Sequence, residues 1–163
     1  MKILVVQNKM GIGDMIIYLP FIDAISKKFN TPVSILAKQS SKAEQFLKDH
    51  KNIKEIIILE QSNKLKGARH QGFSGFINLV KDLRKHNFDK IFIFNSSLRF
   101  YLIAKCAGIK NIHQYPLFIK KNQHIVNAAK KFINQNLNLI VESDPKIFIN
   151  DKSVQNVKSK FKI

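Results

Sequence analysis

The most constraining feature of this chain is an uninterrupted apolar run, Ile3 to Val6, that ends in the glycine-rich turn Asn8-Lys9-Met10-Gly11-Ile12-Gly13-Asp14. A strand apolar at every position is buried on both faces, and such strands belong to parallel sheets covered by helices on each side. From Met15 to Phe29 the apolar period changes to the helical one, with Ile17, Phe21, Ala24, Ile25 and Phe29 on one side. Pro20 is expected to kink this helix and Thr31-Pro32 to end it.

The same alternation continues along the chain. Strands are predicted at Val33 to Leu36, Ile56 to Leu59, Ile91 to Phe94 and Asn111 to His113. Helices are predicted at Ser40 to Lys48, Phe76 to His86, about Ser97 to Ala107 and about Gln123 to Asn134, with Gly108 capping the third of these. Gln61 to Gly75 reads as a long basic loop, and long loops in compact domains are often functional. After Asp144-Pro145 comes one apolar run, Ile147 to Ile149, and a polar, lysine-rich end. Strand and helix alternating at this rhythm predict an α/β fold, a Rossmann-like doubly wound parallel sheet. Such sheets bind ligands beyond the carboxyl ends of their strands, where the winding reverses.

The 163 residues suit one domain, and 45% are apolar, enough for a real core. Lys and Arg number 28 against 11 Asp and Glu, a net charge of +17. Charge of this size attracts anions: nucleic acid, anionic lipid headgroups or phosphorylated glycans. A compositional bias toward Lys and Asn is the other source of the same number. The single cysteine, Cys106, excludes an internal disulfide and Cys-rich metal sites. Its apolar surroundings predict a small buried core residue in a reducing compartment. The opening MKILVVQ lacks a cleavage-like site, and no apolar stretch is long enough to span a bilayer. A cytoplasmic location follows as the expectation, with an anionic membrane surface as a natural neighbour.

The turn Gly11-Ile12-Gly13-Asp14 fits neither common phosphate motif. A Walker loop ends in Gly-Lys-Ser/Thr, and the dinucleotide fingerprint needs a glycine where Ile16 stands. Two readings of Asp14 remain. It caps the helix N-terminus, or it is a carboxylate held at the cleft rim as a general base.

Three segments together are similar to a known family. MKILVVQNKMGIGDMIIYLPFIDAI, FDKIFIFNSSLRFYLIAKCAGIK and QHIVNAAKKF follow one another in the order and rough spacing of glycosyltransferase family nine, the heptosyltransferases of lipopolysaccharide assembly. The matched features are Gly13-Asp14, Leu19-Pro20, Ser97-Leu98-Arg99 and His124-x-Val126, spread over Met1 to Phe132. The turn departs from the commoner Ser-Ser-Leu-Gly-Asp, and Asn127, Ala128 and Ala129 stand where a Glu-Arg pair is frequent.

The resemblance implies the N-terminal, acceptor-side half of a GT-B glycosyltransferase over residues 1–145, with 146–163 beginning the interdomain linker or forming a truncated tail. It implies inverting transfer with Asp14 as the base, no metal and no bound cofactor. The nucleotide-sugar donor, ADP-heptose-like, is expected to bind a C-terminal domain beyond these residues, so the chain alone is expected to be inactive. A phosphorylated, lipid-linked glycan acceptor calls for cations and an open turn. Gly13, Lys64, Arg69, Arg99, Lys120, Lys121 and His124 are the candidates, with Lys66 and His70 beside them. Each lysine also reads as a solvated surface charge, and His124 as a helix-start cap. His86 and His113 read as surface and strand-end residues. Among the numerous phenylalanines, Phe21, Phe76, Phe92 and Phe94 fall at core spacing, and they are not read as a stacking platform for nucleic acid. Two rivals stand beside this reading. One is a basic nucleic-acid-binding module, which lacks an aromatic signature or helix-turn-helix pattern to support it. The other is a non-catalytic glycan- or lipid-binding domain.

Overall fold

A computed structural model describes residues 1–9, 11–61, 67–117, 124–146 and 151–161. Lys64, Lys66, Lys120, Lys121 and the run Ile147 to Ile149 lie outside the described residues. Five parallel strands, β1 (Ile3–Gln7), β2 (Val33–Lys38), β3 (Ile53–Leu59), β4 (Lys90–Ile93) and β5 (Asn111–Gln114), form one sheet in the order β3-β2-β1-β4-β5. The helices are α1 (Ile12–Phe29), α2 (Ala43–Phe46), α3 (Gly72–His86), α4 (Leu98–Cys106), α5 (Ile125–Leu137) and α6 (Asp151–Phe161). The predicted doubly wound α/β architecture is the one observed.

The two faces follow from the residue period of a strand. On β1, Ile3 and Val5 join α1 and α5 in one core, while Leu4 and Val6 join α3 and α4 in the other. The winding leaves β1 toward β2 and β3, then returns across the sheet to β4 and β5. With right-handed crossovers, that reversal puts α3 and α4 on the opposite face. The apolar strand therefore has no exposed side, and Ile3 to Val6 are at most 1% exposed. Each such side chain contributes roughly 1.5–3 kcal/mol relative to exposure. Phe92, Phe94 and Phe132 form the aromatic centre of the α1–α5 face, with Phe94 and Phe132 ring centroids 5.2 Å apart.

Three sequence expectations are corrected. First, α3 begins at Gly72, four residues before Phe76, because its opening turn lies on His70: a Cβ on Gly75 would stand 2.1 Å from the His70 carbonyl carbon. Second, Cys106 is exposed. It ends a helix whose buried residues are Phe100, Ile103 and Ala104, and that spacing turns position 106 outward. Third, Asp14 is not the cap residue of α1 but lies inside its first turn, because the helix starts at Ile12. Pro20 does not end α1, which continues to Phe29. Gly108 follows α4 at φ +85°, a left-handed turn that suits glycine, as the capping expectation required.

Candidate active site at the carboxyl edge of the sheet

β1 delivers the chain to the carboxyl edge at Gln7, and the turn reverses it into α1 at Gly11, the extended cap residue. Asp14 Oδ2 accepts a hydrogen bond from the Gly11 backbone N–H at 3.3 Å. Glycine has no side chain to return the bond, so only half of a capping box is made. Among the described residues Asp14 Oδ1 accepts none, and the side chain is half-buried. Gly13 is exposed, and a Cβ there would meet nothing within 4 Å, so the first turn of α1 faces open space. The positive end of the helix dipole also stands there and favours an anionic side chain or ligand.

One turn further along α1, Tyr18 faces the same wall. Its ring lies 5.0 Å from that of Phe94, just beyond β4. Burial raises the Tyr18 phenol above its ordinary 10; a nearby Tyr115 hydroxyl partly offsets this, and the Asp14 charge adds to it. The Tyr115 hydroxyl is pushed far above its ordinary value, chiefly by burial and then by Tyr18. Both phenols are therefore neutral at physiological pH.

The strand ends carry amides. Asn95 Nδ2 donates to Asn8 Oδ1 at 3.2 Å, joining the exits of β1 and β4 where the winding reverses. Gln114 Nε2 donates to the carbonyls of Asn95 and Ser97 at 3.0 and 2.9 Å. Among the described residues, Gln7 Nε2, Gln114 Oε1 and Arg99 Nε are buried side-chain atoms without a hydrogen-bond partner. Gln7 and Gln114 end β1 and β5, and Arg99 lies in the first turn of α4. Buried polar groups are normally paired with protein or with water, so these atoms are open to a water or a ligand.

The structure distributes the predicted site residues unevenly. Gly13 and Asp14 stand together at the edge. His124 begins α5, exposed, and its Nδ1 accepts from the Val126 N–H at 3.4 Å. Phe132 packs 5.0 Å from Tyr115, and Asn136 bonds His113 at 2.8 Å. α5 therefore runs back along β5, and its His124 end projects past the carboxyl edge. Arg99, in the first turn of α4, spends its donors on the carbonyls of Gly72 and His70, at 2.9 and 3.0 Å, and stacks over Phe76. Arg69 forms a forked pair with Asp82, Nη2 to Oδ1 at 2.7 Å and Nε to Oδ2 at 3.1 Å.

His70, 3% exposed, completes that cluster. Its Nδ1 accepts from the Glu60 N–H at 3.0 Å, which leaves the proton on Nε2 facing Asp82 Oδ2 at 3.1 Å. The hydrogen bonds from Arg69 hold the Asp82 carboxyl below its ordinary value, burial opposes this, and His70 helps Arg69. Sequence reasoning missed Gln7, Tyr18, Asn95, Gln114 and Tyr115. The available signal was a polar residue directly after an apolar strand, which marks Gln7 and Asn95. Elsewhere, a cavity of about 280 Å³ opens at the amino edge among Lys2, Thr31, Glu55 and His86, where Glu55 Oε1 accepts from Ser34 Oγ at 2.8 Å and lies 3.5 Å from His86 Nδ1.

No family model matches the sequence, and no curated protein does. Solved structures do. The glycosyl transferase family 9 structure from Veillonella parvula DSM 2008 superposes with a TM-score of 0.70 at 18% identity, over 99% of this chain and 50% of that one. Escherichia coli ADP-heptose lps heptosyltransferase II gives 0.63 at 17% identity, with the same coverage. E. coli heptosyltransferase WaaC with ADP gives 0.56 at 13%, over 98% of this chain and 53% of that one. This chain thus spans about half the length of the structures it matches, and it has the Rossmann-like fold of one half of a heptosyltransferase-type glycosyltransferase.

Proposed function

We propose that this chain is the acceptor-binding half of an inverting, heptosyltransferase-like glycosyltransferase, with Asp14 as its general base. The observation that carries the reading is the position of Asp14: half-buried, one oxygen unspent, at the carboxyl edge of a sheet matched by those transferases. In the proposed step an acceptor hydroxyl loses its proton to Asp14 as its oxygen bonds the anomeric carbon. The bond from that carbon to the nucleoside diphosphate breaks, and the configuration inverts. A second half would hold the donor, an ADP-heptose-like nucleotide sugar, and would stabilise the leaving diphosphate. The step uses no metal and no bound cofactor of this chain.

The proposed acceptor is a lipopolysaccharide core or related phosphorylated, lipid-linked glycan, met in the cytoplasm at the inner face of the membrane. His124 past the edge, the exposed first turn at Gly13 and the basic sequence around Lys64, Lys120 and Lys121 support an anionic ligand. No specific nucleic acid is expected.

The test compares sugar transfer to phosphorylated inner-core glycan by the 163-residue chain alone and by the chain supplied with a donor-binding half. Holding two reactants in attack geometry is worth up to about 7–11 kcal/mol, and one half by itself cannot do so. No turnover alone and turnover when completed is the expected result. Turnover by the chain alone would sink the half-enzyme reading. Equal binding of duplex RNA and phosphorylated glycan, with the same salt dependence, would instead favour a nucleic-acid module.

A further inference from the structure

We infer that the paired outer flanks of α3 and α4 form a membrane-docking surface for an anionic lipid bilayer. The inference locates the membrane contact that the proposed function leaves unplaced. It rests on these two helices and not on sugar transfer.

Among the described residues no helix is long and apolar enough to cross a membrane. Yet large apolar side chains stand in water on these two helices. Phe73 is 81% exposed, Leu98 48%, Leu102 44% and Ile77 40%. Phe73, Ile77 and Arg84 recur at helical spacing along one flank of α3. Arg84 Nη2 donates to the Cys106 carbonyl at 2.6 Å, so that flank faces α4. Leu98, Leu102 and Cys106 form the matching stripe of α4, and Arg99 ties the first turns of the two helices together through Gly72. The four apolar residues are therefore one patch, not scattered exposures.

Cations continue the patch toward the helix C-termini: Lys81, Arg84, Lys85 and Lys105 are all exposed. The acid within α3 and α4 is Asp82, already paired with Arg69 and His70. An apolar tip flanked by exposed cations, of which Lys85 lies 3.9 Å from Asp82, on a chain of net charge +17, complements a bilayer with anionic headgroups. A second copy of the chain would bring the same cations against each other.

The experiment is vesicle flotation of the whole chain with phosphatidylcholine alone and with phosphatidylcholine containing phosphatidylglycerol. The expected result is binding to the anionic vesicles that weakens with salt. Phe73→Ser with Leu102→Ser should weaken it by about tenfold or more, since one buried apolar side chain accounts for that much. Lys81→Gln should weaken it about fivefold. Ile140→Ser, which removes an apolar side chain 96% exposed outside this surface, should leave it unchanged. Melting curves check folding; if the double variant does not fold, Phe73→Ser alone is read. Equal binding to neutral vesicles, or indifference to Phe73, overturns the inference. So does self-association without vesicles that the same variants abolish, which assigns the surface to a second copy. Sugar transfer enters none of these readouts, so either reading can fail without the other.

Discussion

The β1–α1 junction and the β3–α3 junction leave the same edge of the sheet, and they treat their polar groups in opposite ways. At β3–α3 the donors and acceptors are largely consumed. His70 bonds Glu60 through its backbone N–H and its ring, Asp82 takes Arg69 and His70, and Arg99 closes over the His70 and Gly72 carbonyls. Among the described residues, Arg99 Nε is the buried side-chain atom left without a partner there. At β1–α1 and the neighbouring strand exits, Gln7 Nε2 and Gln114 Oε1 are buried without a partner among the described residues, and Asp14 Oδ1 accepts no hydrogen bond from them. A junction built for stability spends its hydrogen bonds internally. A junction that receives a ligand keeps some in reserve, at a cost in stability.

The contrast can be broken most decisively at Asp14. Asp14→Asn, in the chain completed by a donor-binding half, is expected to lower turnover on the order of 10²- to 10⁴-fold while acceptor binding and melting temperature barely move. Asn keeps the shape and still accepts from the Gly11 N–H, but it takes no proton. Near-normal turnover in a folded variant would reduce Asp14 to its helix-terminal role.

The largest stability effect belongs to the other junction. Gly75→Ala places a methyl 2.1 Å from the His70 carbonyl carbon, where only backbone can yield. A loss of about 3 kcal/mol is expected by denaturant titration. An unchanged midpoint would show that the opening turn of α3 moves freely away from His70.

Asp82→Ala comes next. It leaves the buried His70 Nε2 proton without its acceptor, a loss of about 1–3 kcal/mol. The pH dependence is a sharper signature. The folded Asp82 carboxyl titrates below its ordinary 3.8, so its contribution is complete above that value and lost as pH falls through the lowered one. The wild type should therefore lose more stability than Asp82→Ala on acidification through that window. Parallel curves would contradict the assignment. Arg69→Ala should cost least by the same measurement, because that side chain is 49% exposed and its pairing is screened.

The sequence by itself determined the architecture and the place of the turn. Ile3 to Val6 admit only burial on both faces, and the period shift after Asp14 admits only a helix, so a doubly wound parallel sheet follows from local pattern. Arg99 and His124 were picked out by charge and position after a strand or at a helix start, and Lys64, Arg69, Lys120 and Lys121 as basic residues of loop-like segments. What each arginine and histidine touches depended on partners far away in the chain: Arg69 on Asp82, Arg99 on Gly72 and His70 across 27 and 29 positions. The outward turn of Cys106 and the exposure of Phe73 were likewise invisible, because an apolar residue on a helix reads as core until its neighbour's flank is known. Local periodicity encodes which face of an element is apolar. Tertiary packing alone decides which polar groups meet, since a hydrogen bond needs two partners within about 3 Å and sequence separation carries no such distance.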